Sequence, residues 1–290
     1  MSKPDHAVEY NIRPKKAYNN YAFLNSPYAR SIRVLCEFEE PEIRFRKERV
    51  YNTIVFFGSA RVKPPEVAER NLAEINAMIE QNGADADSTL QQKKRIAERN
   101  VLMARYYADA EEISMRLSTW ASQIENERER FIVCSGGGPG IMEAANRGAN
   151  KAGARSIGLN ISLPFEQDAN PYQTPELAFE FHYFFIRKYW FFHLAKSLLI
   201  FPGGFGTLDE FFELLTLIQT EKTKRYFPIV LYGSEYWNEV LNFDAMVKWG
   251  TINEEDIHLF HISDSVDDAV HFVSSELAKH HLKQKVAPAK

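Results

Sequence analysis

The chain has 290 residues, of which 45% are hydrophobic and 26% charged, and its formal net charge is −4. That supplies enough apolar material for a large core, and it lacks the basic excess that nucleic-acid binding leaves in a composition. No apolar run reaches the roughly 20 residues of a membrane span, and the polar, proline-containing stretch from Met1 to Lys16 lacks the apolar core of a signal peptide. Cys36 and Cys134 show no metal-ligand spacing and are too few for a disulfide framework. The expectation is a cytoplasmic protein with no nucleic-acid or membrane partner.

Residues 1–25 read as an irregular arm. Asn25-Ser26-Pro27 is a helix start, with a capping side chain followed by an early proline whose missing N–H costs little. Residues 27–49 are predicted helical, broken near Pro41. Residues 53–57 are β-branched and aromatic and run into Gly58-Ser59-Ala60-Arg61, which reads as a buried strand entering a tight turn. A helix follows from about Glu66. The polar, charged segment 81–99 reads as a loop or an exposed helical insertion, and 100–124 shows helical spacing.

Strand, loop and helix then recur. Strands are predicted at 131–134, 156–162, 179–184, 197–201, 227–232 and 258–262. Helices are predicted at 141–152, around 187–196, and at 207–220, 236–249 and 266–281, with a polar tail that frays after Lys279. Alternation of this kind implies a parallel sheet covered by helices on both faces, the doubly wound α/β class. Such sheets bind ligands outside the carboxyl ends of their strands. The division expected is a helical extension over 1–50, a Rossmann-like domain over 51–282 and a tail over 283–290.

Two glycine clusters fall at those carboxyl ends: Ser135-Gly136-Gly137-Gly138-Pro139-Gly140 and Pro202-Gly203-Gly204-Phe205-Gly206-Thr207. Glycine lets backbone N–H groups approach an anion closely, and each following helix adds its positive end. Thr207 can cap its helix or donate a hydroxyl to a phosphate oxygen. The turn at Gly58 and Ser59 has the same placement. Neither cluster has the Gly-Lys-Ser/Thr ending of a phosphate-loop NTPase or the full Gly-x-Gly-x-x-Gly dinucleotide fingerprint.

Arg187-Lys188 sit among Phe184, Phe185, Tyr189, Trp190, Phe191 and Phe192. Two cations in such a stretch are costly to bury without an anionic partner, for which a phosphate or a carboxylate would serve; the alternative is that both reach solvent from a helix start. The aromatic stretch itself fits a core or a subunit interface. Asp209 and Glu210 are placed in the first turn after the second cluster, where the helix dipole favours acids. A carboxylate beside a bound sugar can also stabilise an oxocarbenium-like transition state or activate water. Glu143 holds the analogous early position after the first cluster.

The stretches Gly136–Asn146 and Pro202–Glu210 resemble the two signatures of the LOG ("Lonely guy") family. The second matches Pro-Gly-Gly-x-Gly-Thr-x-x-Glu at every specified position, and Arg187-Lys188 match the family's Arg-Lys pair. The resemblance runs from about Tyr51 to Ile262. It implies a Rossmann-like, usually dimeric hydrolase. Such an enzyme releases the free base and ribose 5-phosphate from nucleoside 5′-monophosphates, of the AMP or cytokinin riboside type, without metal or cofactor. It maps the catalytic pair onto Arg187 and Glu210. Ligand contacts map onto Lys188, Gly203, Gly204, Phe205, Gly206, Thr207 and Asp209, and more loosely onto Glu166. Gly58, Ser59, Gly137, Gly138 and Glu143 complete the candidate binding set. The N-terminal helix and the 81–99 insertion depart from the short plant form. An older label, lysine decarboxylase, would need a pyridoxal phosphate lysine that neither loop supplies. The rival from another class is a non-catalytic nucleotide or molybdenum-cofactor carrier with the same loops.

Overall fold

A computed structural model describes residues 14–82, 88–164, 168–223, 226–283 and 288–289. The strands are β1 (Asn52–Phe57), β2 (Phe131–Ser135), β3 (Ser156–Ile161), β4 (Ala178–Phe181), β5 (Ala195–Ile200), β6 (Ile229–Tyr232) and β7 (His261–Ser263). Among the described residues they form one seven-stranded sheet in the order β4-β3-β2-β1-β5-β6-β7, parallel throughout. The helices are α1 (Tyr21–Leu24), α2 (Arg30–Lys47), α3 (Pro65–Asn82), α4 (Ser88–Ser122), α5 (Ile141–Lys151), α6 (Phe184–His193), α7 (Phe205–Gln219), α8 (Ser234–Val240), α9 (Phe243–Lys248) and α10 (Val266–His281). The fold is the Rossmann-like α/β class expected from the alternation of elements. No described helix is long and apolar enough to cross a membrane.

The sheet is apolar on both faces because helices cover both. Along β1, Ile54 and Phe56 pack with Tyr107, Ile113 and Leu117 of α4, Ile141 of α5 and Val270 of α10. Val55 and Phe57, one residue out of phase, pack on the other face with Phe45 of α2, Trp190 and Phe191 of α6 and Phe211 of α7. This period-2 division explains why the strands read as continuous apolar runs. Strand order reverses at β1, which lies between β2 and β5. Chain leaving β1 and chain leaving β5 therefore diverge, and the crevice between them is where a ligand fits.

Several boundaries differ from the sequence reading. Pro41 does not break α2; it lies buried inside one continuous helix. A proline lacks the N–H that would bond the carbonyl four residues earlier. That carbonyl belongs to Glu37, and it accepts from the Trp190 indole Nε1–H at 2.9 Å instead. The helix expected over 236–249 is two helices, because the Asn242 side chain accepts from the Ala245 N–H at 2.8 Å and opens a new one. The last strand begins only at His261, since Asn253 and Asp256 form a capping box that winds 254–259 into a 3-10 turn.

The segment expected as loop or exposed insertion becomes helix from Ser88, the start of the 35-residue α4. α6 begins at Phe184 and α7 at Phe205, so Arg187 lies three residues and Glu210 two residues deeper in their helices than the sequence places them. Residues 1–13 of the arm, 83–87 of the insertion, and 284–287 and 290 of the tail lie outside the described residues.

α4 and α5 approach closely at Gly148, where an added Cβ would stand 2.1 Å from the Glu111 carbonyl oxygen. Backbone cannot yield as a side-chain end can. Gly148→Ala is expected to lower the unfolding free energy by about 2–3 kcal/mol in a urea titration.

Candidate active site

Three strand-end loops are joined by backbone. The Ser59 N–H donates to the Pro202 carbonyl at 3.0 Å, and the Ser59 carbonyl accepts from the Ile141 N–H at 3.1 Å. The β1 turn is thus the bridge between the two glycine loops. The approach requires glycine at 140, where φ is +72° and a Cβ would stand 2.3 Å from the Ser59 carbonyl oxygen. α5 and α7 both start from glycine N-caps, Gly140 and Gly204, with no side-chain cap. The Ile141 N–H that starts α5 goes to Ser59, so the first N–H groups of α7 are the ones left for another acceptor.

The first glycine loop is fixed from behind. The Gly137 carbonyl accepts from the Asn170 backbone N–H at 2.8 Å, from Asn170 Nδ2 at 2.9 Å and from Gln173 Nε2 at 2.8 Å. In a trans peptide the N–H points opposite the C=O, so this tie turns the Gly138 N–H away from the network. Asn170 also donates to the Gly138 carbonyl at 3.0 Å and to Asn146 Oδ1 at 2.9 Å, and Asn160 donates to Gln173 Oε1 at 2.9 Å. The second loop is held at Gly203, whose carbonyl accepts from the Tyr236 hydroxyl at 2.6 Å.

These loops border a cleft of about 860 Å³. Gly58, Ser59, Gly136, Gly138, Gly203, Gly204, Phe205, Gly206, Thr207, Arg187 and Glu210 line it. So do Asn160 and Tyr236, and Arg61, Arg99, Asn100 and Met103 from the β1 turn and α4. Thr207 is buried, with its hydroxyl folded over Gly203.

The two charged residues that line the cleft beside both glycine loops are Arg187 and Glu210. An added Cβ at Gly136 would stand 3.9 Å from Arg187 Nη1, which puts the guanidinium beside the first loop. Phe184 and Phe191 flank it, with ring centroids 5.1 Å and 5.6 Å from Cζ. Burial lowers the Arg187 pKa, against the pull of Glu210 and Asp209. Glu210 is 4% exposed. Burial pushes its carboxyl up to about 7, although Arg187 and then Lys188 pull the other way. Arg187 Nε and Glu210 Oε2 are both buried without a hydrogen-bond partner. Buried polar atoms are normally paired, so two orphans on residues that line one cleft single it out as the candidate site.

Four described candidates, Lys188, Asp209, Glu143 and Gly137, do not line the cleft. Lys188 turns to α7, its Nζ 3.0 Å from Asp209 Oδ1 and 2.6 Å from Glu213 Oε2. Burial works to lower its pKa, but those carboxylates outweigh it and the ammonium is held above its usual value. Glu143 accepts from the Tyr107 hydroxyl at 2.9 Å. Gly137 lies behind the loop in the amide network. Glu166 falls outside the described residues.

Asn160, Asn170, Gln173 and Tyr236 were not legible as site residues, since they are single polar positions without motif spacing. Arg99, Asn100 and Met103 lie in or beside the segment whose charges read as a solvated face. The aromatic stretch divides: Trp190 and Phe191 are buried, whereas Phe184, Phe185 and Tyr189 are exposed. Cys134 is buried and Cys36 exposed, both as free thiols. Among the described residues no group of three or more His, Cys, Asp or Glu side chains is gathered to hold a metal.

The family model described as "Possible lysine decarboxylase" matches residues 142–273, a range that contains Arg187, the second glycine loop and Glu210. The chain is 26% identical over 146 residues to the probable cytokinin riboside 5′-monophosphate phosphoribohydrolase LOG4 of Oryza sativa subsp. japonica. The match covers 49% of this chain and spans 61% of that relative. Among solved structures, the molybdenum cofactor binding protein of Rippkaea orientalis is similar at 14% identity and a TM-score of 0.45, over 78% of this chain and 98% of that one. The Moco carrier protein of Chlamydomonas reinhardtii is similar at 18% identity and a TM-score of 0.42, over 79% and 99%.

A carboxyl whose pKa is raised on folding favours the native state below the usual carboxylate range, and that contribution is lost as pH rises toward 7. Glu210→Gln removes the ionisable group. It is expected to be more stable than the parent at pH 8, on the order of 2–3 kcal/mol, with the gap closing by about pH 5. Urea titrations at both pH values measure it.

Proposed function

We propose, for a chain whose family-model match and curated relative support membership of the LOG family, that it hydrolyses the N-glycosidic bond of nucleoside 5′-monophosphates. The products are free base and ribose 5-phosphate. The observation that carries the reading is the pair of orphaned buried atoms, Arg187 Nε and Glu210 Oε2, on two residues that line one glycine-lined cleft. A volume of about 860 Å³ suits a small-molecule ligand.

The uncapped N–H groups at the start of α7, with the Thr207 hydroxyl, bind the 5′-phosphate. That remote binding energy places the ribose against Glu210. As the C1′–N bond lengthens, positive charge builds on the sugar and the Glu210 carboxylate stabilises it. Glu210 also orients water and takes its proton as the water oxygen bonds to C1′. The base leaves with the bonding electrons and gains a proton. Arg187 orients phosphate or sugar and favours the ionised form of Glu210. Lys188, held by Asp209 and Glu213, acts on Glu210 through its charge rather than on the ligand directly.

Exposed Phe184, Phe185 and Tyr189, with Phe205 at 92% exposure on the cleft margin, support a homodimer built on this side of the molecule. A dimer mass is expected in sedimentation, and a monomer mass at micromolar concentration would remove this part of the reading.

Incubation with a panel of nucleoside 5′-monophosphates, scored for free base and ribose 5-phosphate, tests the activity. AMP yielding adenine separates an enzyme from a carrier. Glu210→Gln is expected to lose at least about a thousandfold in kcat while still binding AMP; unchanged turnover would sink the assignment. The carboxylate is the active form, so kcat/KM is expected to rise with pH through a midpoint near 7.

A further inference from the structure

Arg187 Nε is buried without a partner, so no bond at that nitrogen fixes where the side chain points. Its position follows from α6, a helix of 10 residues whose N-cap, Tyr183, supplies no side-chain cap. The two residues that lead into it are held from elsewhere in the chain. Glu37 Oε1 accepts from the His182 N–H at 2.8 Å, and Glu37 Oε2 accepts from the Tyr183 N–H at 3.3 Å. A carboxylate at a helix N-terminus also meets the positive end of the dipole.

The same residue holds α6 a second time. The Glu37 carbonyl accepts the Trp190 indole N–H at 2.9 Å, and it is free to do so because residue 41 is proline. One contact would let a short helix pivot. Two contacts, before its first residue and at Trp190, block both rotation and sliding, and Arg187 lies between them. Edge-to-face packing of Phe38 on Tyr189 at 5.2 Å and a tilted contact of Phe45 with Trp190 at 5.4 Å extend the seam along α2.

We propose that Glu37 is a positioning residue for Arg187, acting from the N-terminal helix α2 through both its carboxylate and its Pro41-freed carbonyl. The inference rests on the reading of Arg187 as the site's cation, and it makes α2 part of the active-site frame.

The test compares Glu37→Ala, Glu37→Gln and Pro41→Ala with the parent chain. The charged groups acting on Glu210 are Arg187 and Lys188 of α6, and Asp209 and Glu213 of α7. Drawing Arg187 away removes the larger opposing pull, so the Glu210 midpoint is expected to rise. It is read by carbon-13 NMR from the carboxyl signal that Glu210→Gln abolishes. A rise of about half a pH unit is expected in Glu37→Ala, with kcat on AMP falling about tenfold and KM changing less.

Glu37→Gln keeps one acceptor for the His182 N–H and is expected to recover most of kcat. Pro41→Ala leaves the carboxylate contacts but gives the carbonyl an intrahelical competitor, so a smaller shift in the same direction is expected. A lowered melting temperature with unchanged midpoint and kcat, or no change in any of the three variants, would overturn the proposal. A moving midpoint in a chain that releases no base from any nucleotide would uphold the positioning role and refute the hydrolase reading.

Discussion

Two backbone hydrogen bonds at Ser59 hold the site together. The residue after Gly58 donates to the loop that follows β5 and accepts from the first residue of α5. This is only open to the turn that follows the strand lying between β2 and β5, and in this sheet that strand is β1. The order of the strands therefore decides which loops meet. Close approach of Gly140 to the Ser59 carbonyl is the local condition that lets them meet at bonding distance.

On that frame the chain holds a carboxyl in an environment that opposes its charge. Glu210 lies in the second turn of α7, deep enough that burial outweighs two nearby cations. Lys188 is the less effective of the two because Asp209 and Glu213 already claim its ammonium. Arg187 faces the cleft, but it too is depressed by burial and has a nitrogen without a partner. The native state thus carries an unbalanced pair, and a polar ligand that bonds both would relieve it. The amide network of Asn170, Gln173, Asn146 and Asn160 does the reverse behind the first loop, where every bond made fixes a carbonyl and stiffens the wall.

The N-terminal helix shows how a local rule yields to a tertiary contact. Pro41 in a helical pattern argues for a break, since it leaves a carbonyl without its intrahelical donor. Trp190, distant in sequence, supplies the donor, and the helix continues. A side-chain cap had the opposite effect at Asn242, where it divided a segment whose pattern read as one helix. Both differences arise where a polar group finds a partner that periodicity does not report.

The alternation of apolar runs with helical segments determined the doubly wound class, because a strand buried on both faces must be apolar at every position. The two glycine clusters were legible as strand-end turns for a related reason: a backbone that bends sharply beside another chain needs glycine. Arg187 stood out as a charge in aromatic company, and Glu210 as an acid just after the second glycine cluster. The sequence could not reveal which charges face the same space. Lys188 and Arg187 are adjacent in the chain, yet one faces α7 and the other the cleft. Arg99 and Tyr236, far apart in the chain, line that cleft together. Residue type and spacing carry the local preference of each segment, whereas the burial that shifts Glu210 and the partner each polar atom finds come from segments brought together only by the packing of the whole sheet.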